Sequence, residues 1–412
     1  MAGRIRSRLP RAVRSALGGG ARAQRAASGT EHAAALLLEL ARTGPAPLLP
    51  GGTAPGAPLS VAAVIPSFRR GSGGHATIVR LLEGLQRLGH TPSVWLEDCE
   101  GRHRQESTGA TEASFREFFA AGPEIEVHAD LGAWRGADVV LGTGWQTVAR
   151  AMLLPGCRGR AYLVQDHEPD FYASSAEALW AAQTYAMGLH CIAASPWLAA
   201  MLQERYGARA SHFDLAVDHA IYRPAPDGAV AAEPLVAFYA RAVTPRRAVP
   251  LGLLALEELS RRRPGVGVAL YGEDRPLPAP FEHRALGVLG ARALADLYTR
   301  ASVGVVLSLT NPSLIGLEMM ACGLPCVELA SESMLATFGR EGPLTLAEPD
   351  ALALCGAIES LLDDPALRAR ASVGGLELMA ARTWEHAAMQ VEHGLREALS
   401  ASSERARERT EE

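Results

Sequence analysis

The 412-residue sequence predicts an α/β protein with two domains, each built around a parallel β-sheet. Three observations support this fold class. Short apolar runs alternate with helical patterns, which is typical of sheets whose two faces are covered by helices. The alternation stops between Pro224 and Pro234, where Pro, Ala and Gly dominate, and then starts again. The hydrophobic fraction of 48% and the charged fraction of 21% are ordinary for a globular enzyme.

The N-terminal residues 1–56 are predicted to be a disordered basic tail and linker, with a Gly/Pro/Ala-rich stretch over residues 44–58. Residues 1–50 contain eight arginines against Glu31 and Glu39. Apolar residues recur at every fourth position from Ile5 to Leu17. The alternative prediction for this segment is therefore an amphipathic helix that lies on an anionic membrane surface. Pro10, in the middle of the pattern, argues against that helix. No signal-peptide h-region and no stretch of about 20 apolar residues is present, which predicts a protein that is neither secreted nor membrane-spanning.

The first predicted domain covers residues 57–223. Its predicted strands are 61–65, 93–97, 138–141, 162–165 and 191–194, and its clearest helices are 77–88 and one that begins at Ser195 and Pro196. Serine is a preferred N-cap and proline fits the first helical position, so this helix start is well defined.

The second predicted domain covers residues 235–383 and is followed by a C-terminal helix over 384–400. Its predicted strands are 235–239, 266–271, 303–307 and 325–329, and its predicted helices are 249–259, 291–298 and 312–322. Two Rossmann-like domains that face each other across an inter-domain cleft would bind a ligand between the carboxyl ends of their strands.

The composition excludes several classes of function. All 40 basic residues are arginine, and a chain without lysine cannot form a P-loop, a protein-kinase site, a PLP enzyme or a Schiff-base aldolase. A phosphate must therefore be bound by arginine, by backbone amides or by a metal. The net charge of -5 argues against a nucleic-acid partner, and six scattered cysteines without a C-x-x-C motif predict buried thiols in a reducing, cytoplasmic compartment.

The first candidate site is the loop Gly71–Ala76, which fits the pattern G-x-G-x-x-A before a predicted helix. Glu97 follows 21 residues after Ala76, a spacing typical of dinucleotide binding. However, five residues separate the strand from Gly71, and Arg69 and Arg70 make the loop more basic than that motif requires. Three interpretations stay open: a dinucleotide site, a different substrate or anion site at the helix N-terminus, and a plain turn.

The second candidate site is the segment Gln165–Asp170, directly after a predicted strand. Asp166, His167 and Glu168 could bind a divalent metal or form a capping and salt-bridge cluster, but they are consecutive and need not converge. The interpretation that we favour is a cleft-facing His167 that hydrogen-bonds a substrate hydroxyl.

The third and fourth candidate sites lie in the second domain. Arg241, Arg246 and Arg247 follow its first strand, where they form either a phosphate site or a solvated charge cluster. The segment Thr310–Pro325 predicts a helix capped by Asn311, whose free amides at Ser313, Leu314 and Ile315 would attract an anion. Glu318 lies within this otherwise apolar helix, where a carboxylate needs hydrogen-bond donors such as sugar hydroxyls.

The stretch Glu318–Pro325, with its Glu-x-Met-Ala-Cys-Gly-Leu-Pro sequence, resembles the donor-binding motif of GT-B glycosyltransferases of the GT4 type. The resemblance covers roughly residues 58–400 and implies a GT-B fold and a retaining, metal-independent enzyme that uses nucleotide sugars. Gly73 and Gly74 correspond to the glycine loop that contacts the donor pyrophosphate or the acceptor, and they are predicted to bind the donor. His167 corresponds to the histidine at the transferred sugar. Arg241 and Arg247 correspond to the Arg and Lys at the pyrophosphate, and Glu318 corresponds to the final glutamate of the E-x7-E motif at the ribose.

One position departs from that family, because Thr310 stands where the first glutamate of E-x7-E is usual. That glutamate is assigned to the donor sugar, so its absence implies a different sugar or a different means of stabilising the transition state. The Phe-Arg-Arg-Gly-Ser-Gly-Gly-His, Val-Gln-Asp-x-Glu-Pro-x-Phe-Tyr and Asn-Pro-Ser-Leu segments more closely resemble the WsaF-like rhamnosyltransferase branch, which uses dTDP-rhamnose to build cell-surface polysaccharides.

The resemblance therefore implies transfer of a hexose, with L-rhamnose from dTDP-rhamnose favoured, to a glycan or glycolipid hydroxyl. The nucleotide sugar is the co-substrate, and no other cofactor is expected. Acceptor contacts are predicted for Arg69, Arg70, His75, Asp166 and Glu168, with peripheral contact between the basic tail and the inner membrane as an additional prediction. Two alternatives stay open: an NAD-dependent oxidoreductase that uses Gly71–Ala76, and a non-catalytic nucleotide-sugar-binding protein.

Overall fold

The computed structural model describes residues 20–50, 53–54, 56–225 and 233–411. The predicted amphipathic pattern from Ile5 to Leu17 lies outside these residues, as does most of the predicted break between the domains.

Two parallel β-sheets form the framework. The strands are β1 (Ser60–Pro66), β2 (Thr91–Glu97), β3 (Glu126–His128), β4 (Ala137–Gly142), β5 (Cys157–Val164), β6 (His190–Ala193), β7 (Arg209–His212), β8 (Leu235–Tyr239), β9 (Gly267–Tyr271), β10 (Arg284–Ala285), β11 (Val303–Val305), β12 (Cys326–Leu329) and β13 (Leu344–Ala347). Their spatial orders are β3-β2-β1-β4-β5-β6-β7 and β10-β9-β8-β11-β12-β13. Each order reverses next to the sheet's first strand, at β1/β4 and at β8/β11, and the carboxyl ends at such a reversal are where open α/β sheets bind ligands.

Helices connect the strands and cover the sheets. They are α1 (Gly20–Thr43), α2 (Gly73–Arg87), α3 (Thr108–Phe119), α4 (Trp145–Leu153), α5 (Ala176–Tyr185), α6 (Pro196–Tyr206), α7 (Val249–Arg262), α8 (Ala291–Arg300), α9 (Leu314–Ala321), α10 (Glu332–Phe338), α11 (Ala351–Asp363), α12 (Pro365–Ala380) and α13 (Trp384–Glu411). Short 3-10 helices are formed by Glu168–Phe171 and Pro245–Arg247. In the described part of the chain, no helix combines the length and the apolar content that crossing a membrane requires.

The chain divides into two compact units, residues 1–163 with 395–412 and residues 164–394. In the first unit, Val64 and Val140 from neighbouring strands are buried in one apolar cluster with Trp95. In the second unit, Phe238 and Leu256 belong to a larger buried cluster. A Cβ at Gly252 of α7 would lie 2.2 Å from Cζ of Phe238, so glycine is required for the helix to pack this closely on β8.

The structure confirms the predicted α/β fold and the strands at 60–66, 91–97 and 235–239. The helix after β6 also begins as predicted, because the Ser195 hydroxyl accepts a hydrogen bond from the Leu198 amide. All six cysteines are free and buried, as expected for a chain without metal-finger spacing.

One expectation is corrected at the N-terminus. Residues 20–43, predicted to be disordered, form α1, because Ala33, Leu36 and Leu40 lie on one helical face and are buried.

Candidate functional site

The loops after β8 and β11 meet at the point where the strand order of the second sheet reverses. The Leu309 amide donates a 3.0 Å hydrogen bond to the Arg246 carbonyl, and the Arg247 guanidinium donates to the Ser308 hydroxyl. Gly272 follows β9 with φ +95°, and a Cβ there would lie 2.6 Å from the Tyr239 ring and 3.6 Å from the Arg241 Cβ. This glycine lets the backbone pass close to the start of the loop 241–247, which we call the arginine loop.

Arg247 has a defined position in this loop. Ser308, which accepts from Arg247, is itself fixed because its amide donates to the Glu328 carboxylate at 2.8 Å. Glu328 also accepts from the Leu329 amide at 2.9 Å, and burial raises its pKa to about 8. A guanidinium has five N–H donors, so a single hydroxyl contact leaves donors that can bind an anion.

Arg241 is half-buried at the start of the same loop. Within the described residues its side chain forms no ion pair, so its charge is available for a ligand. Burying a guanidinium without a counter-charge is costly, and an anionic ligand would remove that cost.

Arg246, predicted to contact the donor, lies beside an acidic and an aromatic side chain. Its Nε lies 3.1 Å from Oδ2 of Asp166, and its guanidinium stacks 4.1 Å from the centre of the Phe171 ring. Burial lowers the pKa of Arg246, and the nearby Asp166 carboxylate opposes that shift. Its buried Nε has no hydrogen-bond partner among the described residues, so the predicted contact with the donor stays a prediction.

Asp166, predicted to contact the acceptor, also uses its carboxylate inside the protein. Its Oδ1 accepts from the His167 amide at 2.9 Å and from the Asn311 amide at 3.1 Å, while Oδ2 pairs with Arg246. Asp166 therefore joins the turn after β5 to the loops after β8 and β11.

His167 differs from the expected free imidazole. It is 3% exposed, its Nδ1 lies 2.7 Å from Asp170, and its Nε2 lies 2.7 Å from the Tyr206 hydroxyl. A carboxylate only accepts, so Nδ1 of a neutral imidazole donates to Asp170 and Nε2 accepts from Tyr206. Both ring nitrogens are thus occupied. Glu168, the other predicted acceptor contact here, is also buried, and its amide donates to the Tyr185 hydroxyl at 3.0 Å.

The helix α9 begins two residues later than predicted. Its N-cap is Ser313, whose hydroxyl accepts from the Ile315 amide at 3.3 Å, whereas Asn311 lies in the preceding loop. Of the predicted anion-binding amides, that of Ile315 is therefore partly satisfied, and Leu314 lies half-buried at the first helical position.

Two buried polar atoms flank the start of α9 without a hydrogen-bond partner among the described residues: Oγ1 of Thr310 and Oε2 of Glu318. The two residues are 4% and 8% exposed. Burial raises the pKa of Glu318 to about 8, and a hydrogen bond from the Tyr222 hydroxyl opposes that shift. Unpaired buried polar atoms are rare in proteins, and these two are suited to receive ligand hydroxyls.

The glycine loop lies in the first unit, after β1. Gly73 and Gly74 are exposed at the start of α2, as an anion site at a helix N-terminus requires. Arg69 is exposed, and Arg70 pairs with Glu117 on the surface.

His75, predicted as an acceptor contact, faces inward. Its Nε2 lies 3.2 Å from the Pro66 carbonyl and its Nδ1 lies 2.7 Å from the Ser72 hydroxyl, and burial lowers its pKa to about 4. This neutral imidazole fixes the shape of the glycine loop, which corrects the predicted role.

Glu97, the proposed ribose ligand of the dinucleotide alternative, is 6% exposed and has both oxygens engaged. Oε1 lies 2.5 Å from His32 Nε2, and Oε2 lies 2.5 Å from Arg150 Nε. This carboxylate ties α1 and α4 to the end of β2, which weakens the oxidoreductase alternative.

The structure gives Asn311 a role different from the predicted helix cap, and it adds contacts by residues to which the sequence assigned no role. Asn311 is 2% exposed; its Nδ2 donates to the Gln165 carbonyl at 3.1 Å and to the Ala194 carbonyl at 2.9 Å, and its Oδ1 accepts from the Ser195 hydroxyl at 2.8 Å. Asn311 is the single asparagine in the sequence, a signal that could have identified it. Phe171 belongs to the Val-Gln-Asp-x-Glu-Pro-x-Phe-Tyr segment but had no role of its own there, and Ser308, Glu328 and Tyr222 carried no comparable signal.

Comparisons with known proteins agree with this fold. Residues 234–358 match the WsaF C-terminal domain family. Over 277 residues the chain is 32% identical to the O-antigen biosynthesis protein RfbC of Myxococcus xanthus; the match covers 65% of this chain and 21% of that protein, so the chain spans about a fifth of its length.

Solved structures with the same fold include a sucrose-phosphate synthase from Thermosynechococcus elongatus, with a TM-score of 0.62 and 20% sequence identity. The match covers 83% of this chain and 99% of the synthase chain. The Anabaena protein HepE in complex with UDP-glucose has a TM-score of 0.59, 15% identity, and coverage of 83% and 100%. These comparisons confirm the GT-B fold and the resemblance to the WsaF-like branch of GT4-type glycosyltransferases.

Proposed function

We propose that this chain, which is similar to GT-B glycosyltransferases of the GT4 type, is an enzyme of polysaccharide biosynthesis. It would transfer a hexose from a nucleotide-diphosphate donor to a hydroxyl of a glycan or glycolipid. The relationship to an O-antigen biosynthesis protein and to the WsaF C-terminal domain supports this class of reaction. The observation that carries the proposal is the buried Glu318 carboxylate, whose Oε2 has no protein partner in the described part of the chain and is suited to accept from a nucleotide ribose.

The leaving group of this reaction is a nucleoside diphosphate, so stabilising its growing negative charge is the main catalytic task. We assign that task to Arg241 and Arg247, with help from the amides of residues 313–315 at the start of α9. Two guanidiniums can balance charge on a diphosphate without a metal ion, which supports the proposal of a metal-independent enzyme. A retaining mechanism is proposed from the resemblance to GT4-type enzymes alone.

His167 is proposed to act through position rather than through proton transfer. Because Asp170 and Tyr206 occupy its two ring nitrogens, His167 ties the turn 166–171 to α6. Asp166 and Phe171 of the same turn contact Arg246. A direct contact with the transferred sugar would require the Tyr206 hydroxyl to move.

L-rhamnose is the favoured sugar, and dTDP-rhamnose the favoured donor. Thr310 supports this choice, because its unpaired hydroxyl replaces the charged carboxylate that is usual in related enzymes. A 6-deoxy sugar presents one hydroxyl fewer than glucose, so a single neutral hydroxyl on the protein is a suitable partner.

The acceptor is proposed to be a cell-envelope glycan or glycolipid, which the exposed Arg69 would contact; the donor contact predicted for Gly73 and Gly74 stays a prediction. Peripheral membrane contact through the basic N-terminal segment belongs to the same proposal. A glycolipid acceptor would then be reached at the membrane surface.

A screen of UDP-, GDP- and dTDP-sugars by thermal shift, followed by assays of donor consumption with and without glycan acceptors, tests the proposal. We expect stabilisation by dTDP-rhamnose and acceptor-dependent release of dTDP. Binding without turnover would favour the nucleotide-sugar-binding alternative, and stabilisation by NADH alone would favour the oxidoreductase. No stabilisation by any nucleotide sugar would refute the proposed function.

A further inference from the structure

Three side chains that can bind a metal ion meet at the carboxyl end of β2 in the first unit. His32 lies on α1, Glu97 is the last residue of β2, and Cys99 follows two residues later. A nitrogen of the imidazole, an oxygen of the carboxylate and the sulfur of the thiol all lie within 4.8 Å of one another. The part of the chain that the structure describes contains no second group of three such side chains at this spacing.

The chemistry of these three atoms indicates which ion they would bind. Nitrogen, oxygen and sulfur together are ligands that proteins use for Zn²⁺, whereas Mg²⁺ and Ca²⁺ prefer oxygen alone. Two ligand atoms that lie about 2.0–2.3 Å from a tetrahedral ion are roughly 3.3–3.6 Å apart. A group whose atoms lie within 4.8 Å of one another can therefore surround one ion, with water at the fourth position.

The imidazole of His32 is placed so that it can admit the ion. Its Nε2 lies 2.5 Å from Oε1 of Glu97, so these two atoms would separate by roughly 1 Å when an ion enters between them. The His32 side chain is 33% exposed, which leaves it room to rotate and gives the ion a path from solvent. Glu97 and Cys99 are buried, so the movement would fall to His32.

Glu97 is oriented by a second contact. Its Oε2 lies 2.5 Å from Nε of Arg150, so Oε1 is the oxygen that faces His32. Carboxylates that bind metals are commonly hydrogen-bonded to further residues in this way. The charge of Arg150 works against a cation, but the carboxylate and a thiolate would bring two negative charges to the ion. The ion would bind Cys99 as its thiolate, and the thiol proton would pass to solvent.

Cys99 is held beside the other two ligands by the turn that follows β2. Its amide donates to the Glu97 carbonyl at 2.7 Å, and its thiol donates to the Gln146 carbonyl at 3.8 Å. The carboxylate of Asp98, between the two ligands, accepts from the Ser67 hydroxyl at 2.6 Å. The backbone that carries two of the three ligands is therefore fixed without an ion.

We propose that His32, Glu97 and Cys99 bind a divalent transition-metal ion, with zinc as the expected ion, and that this ion fastens α1 to the carboxyl end of β2. The inference goes beyond the proposed function and does not depend on it, because none of these residues belongs to the proposed donor site. The ion would be a structural link in the first unit and would take no part in the transfer reaction.

A titration with Co²⁺ tests the inference, because Co²⁺ replaces Zn²⁺ in such sites and is visible by absorption. The full-length protein is first freed of metal with EDTA. We expect the wild type to bind one Co²⁺ per chain with a thiolate-to-cobalt charge-transfer band in the near ultraviolet. Cys99→Ser should abolish that band. His32→Gln, which can still hydrogen-bond Glu97, should weaken Co²⁺ binding at least about tenfold, since loss of even an indirect metal contact costs that much.

Cys157→Ser is the matched control, because Cys157 is a buried cysteine of the same unit whose thiol donates to a carbonyl, that of Leu154 at 3.7 Å. It should keep the charge-transfer band and leave the Kd of Co²⁺ within about twofold. The inference would be overturned if the wild type bound no Co²⁺ or showed no charge-transfer band. It would also be overturned if His32→Gln bound as tightly as the wild type, or if Cys157→Ser lost the band as Cys99→Ser does.

Thermal unfolding with Zn²⁺ tests the link between α1 and β2. At about 100 times its Kd, Zn²⁺ should raise the Tm of the wild type by roughly 5–10 °C, and it should leave the Tm of Cys99→Ser unchanged. No increase in the wild type, or an equal increase in both proteins, would contradict the inference. Neither result bears on nucleotide binding, so the metal site can be refuted while the proposed function stands.

Discussion

Replacement of Asn311 by alanine should destabilise the second unit. The side chain is 2% exposed and makes three hydrogen bonds of 2.8–3.1 Å, to Gln165 O, Ala194 O and the Ser195 hydroxyl. Alanine would remove the donor to two carbonyls and the acceptor of one hydroxyl, in a space that water cannot easily enter.

The size of the effect follows from these contacts. Each lost hydrogen bond contributes about 1 kcal/mol net, so the free energy of unfolding should fall by about 3 kcal/mol. For a unit of this length, 1 kcal/mol corresponds to roughly 2–4 °C in Tm, which predicts a decrease of roughly 6–12 °C. The backbone bond from the Asn311 amide to Asp166 would remain, so the turn at Asp166 should keep its general position.

Differential scanning calorimetry of the full chain measures this decrease, with Gln203→Ala as the matched control. Gln203 also donates its side-chain amide to a carbonyl, that of Ala210 at 2.7 Å, but on the surface. We expect the control to change stability by less than about 0.5 kcal/mol. A Tm for Asn311→Ala within about 2 °C of the wild type would contradict this prediction, because it would show that these hydrogen bonds contribute little net stability.

Three further predictions concern stability and binding. Burial lowers the pKa of His75 from 6.5 to about 4, so between these pH values the unfolded chain binds a proton that the folded chain does not. The free energy of unfolding should therefore fall by up to about 3 kcal/mol as the pH decreases from 6.5 to 4. His75→Gln should reduce that decrease, which thermal unfolding at a series of pH values measures. Gly252→Ala, whose Cβ would lie 2.2 Å from Phe238, should lower the free energy of unfolding by about 1–3 kcal/mol in the same assay, whereas Gly356→Ala, with open space around its Cβ, should be neutral or stabilising. Arg247→Ala should weaken dTDP binding at least about tenfold without changing Tm. The affinity of Arg247→Lys should lie between those of the wild type and Arg247→Ala, because an ammonium cannot make the bidentate contact. Equal affinities of the wild type and both variants would contradict the assignment of Arg247 to the diphosphate.

The fold could be predicted because its main signals are local. Apolar runs such as 61–65 and 235–239 became central strands, and Ser195 with Pro196 marked a helix start that the structure confirms. Short edge strands such as β3 and β10 have no distinct hydrophobic pattern in the sequence. They were not predicted, because they are defined by backbone hydrogen bonds to the neighbouring strand. The helix α1 was missed because its buried stripe begins after an arginine-rich stretch whose composition favours disorder.

The site could be predicted in part, because motifs identify residue types at strand ends but not their partners. Arg247 and Glu318 lie where the motifs suggested. Arg246, Asp166 and His167 were assigned to ligands, whereas in the structure Arg246 and Asp166 form an ion pair and the ring nitrogens of His167 contact Asp170 and Tyr206. Those contacts join residues that are far apart in sequence, and only the folded chain shows whether a charged side chain already has a partner.

A crystal structure of the protein with dTDP would test the proposed donor site most directly. We predict that the diphosphate lies within hydrogen-bond distance of Arg241 and Arg247, and that the ribose hydroxyl contacts Glu318. A diphosphate that contacts neither arginine, together with a ribose that does not reach Glu318, would contradict the proposed donor site.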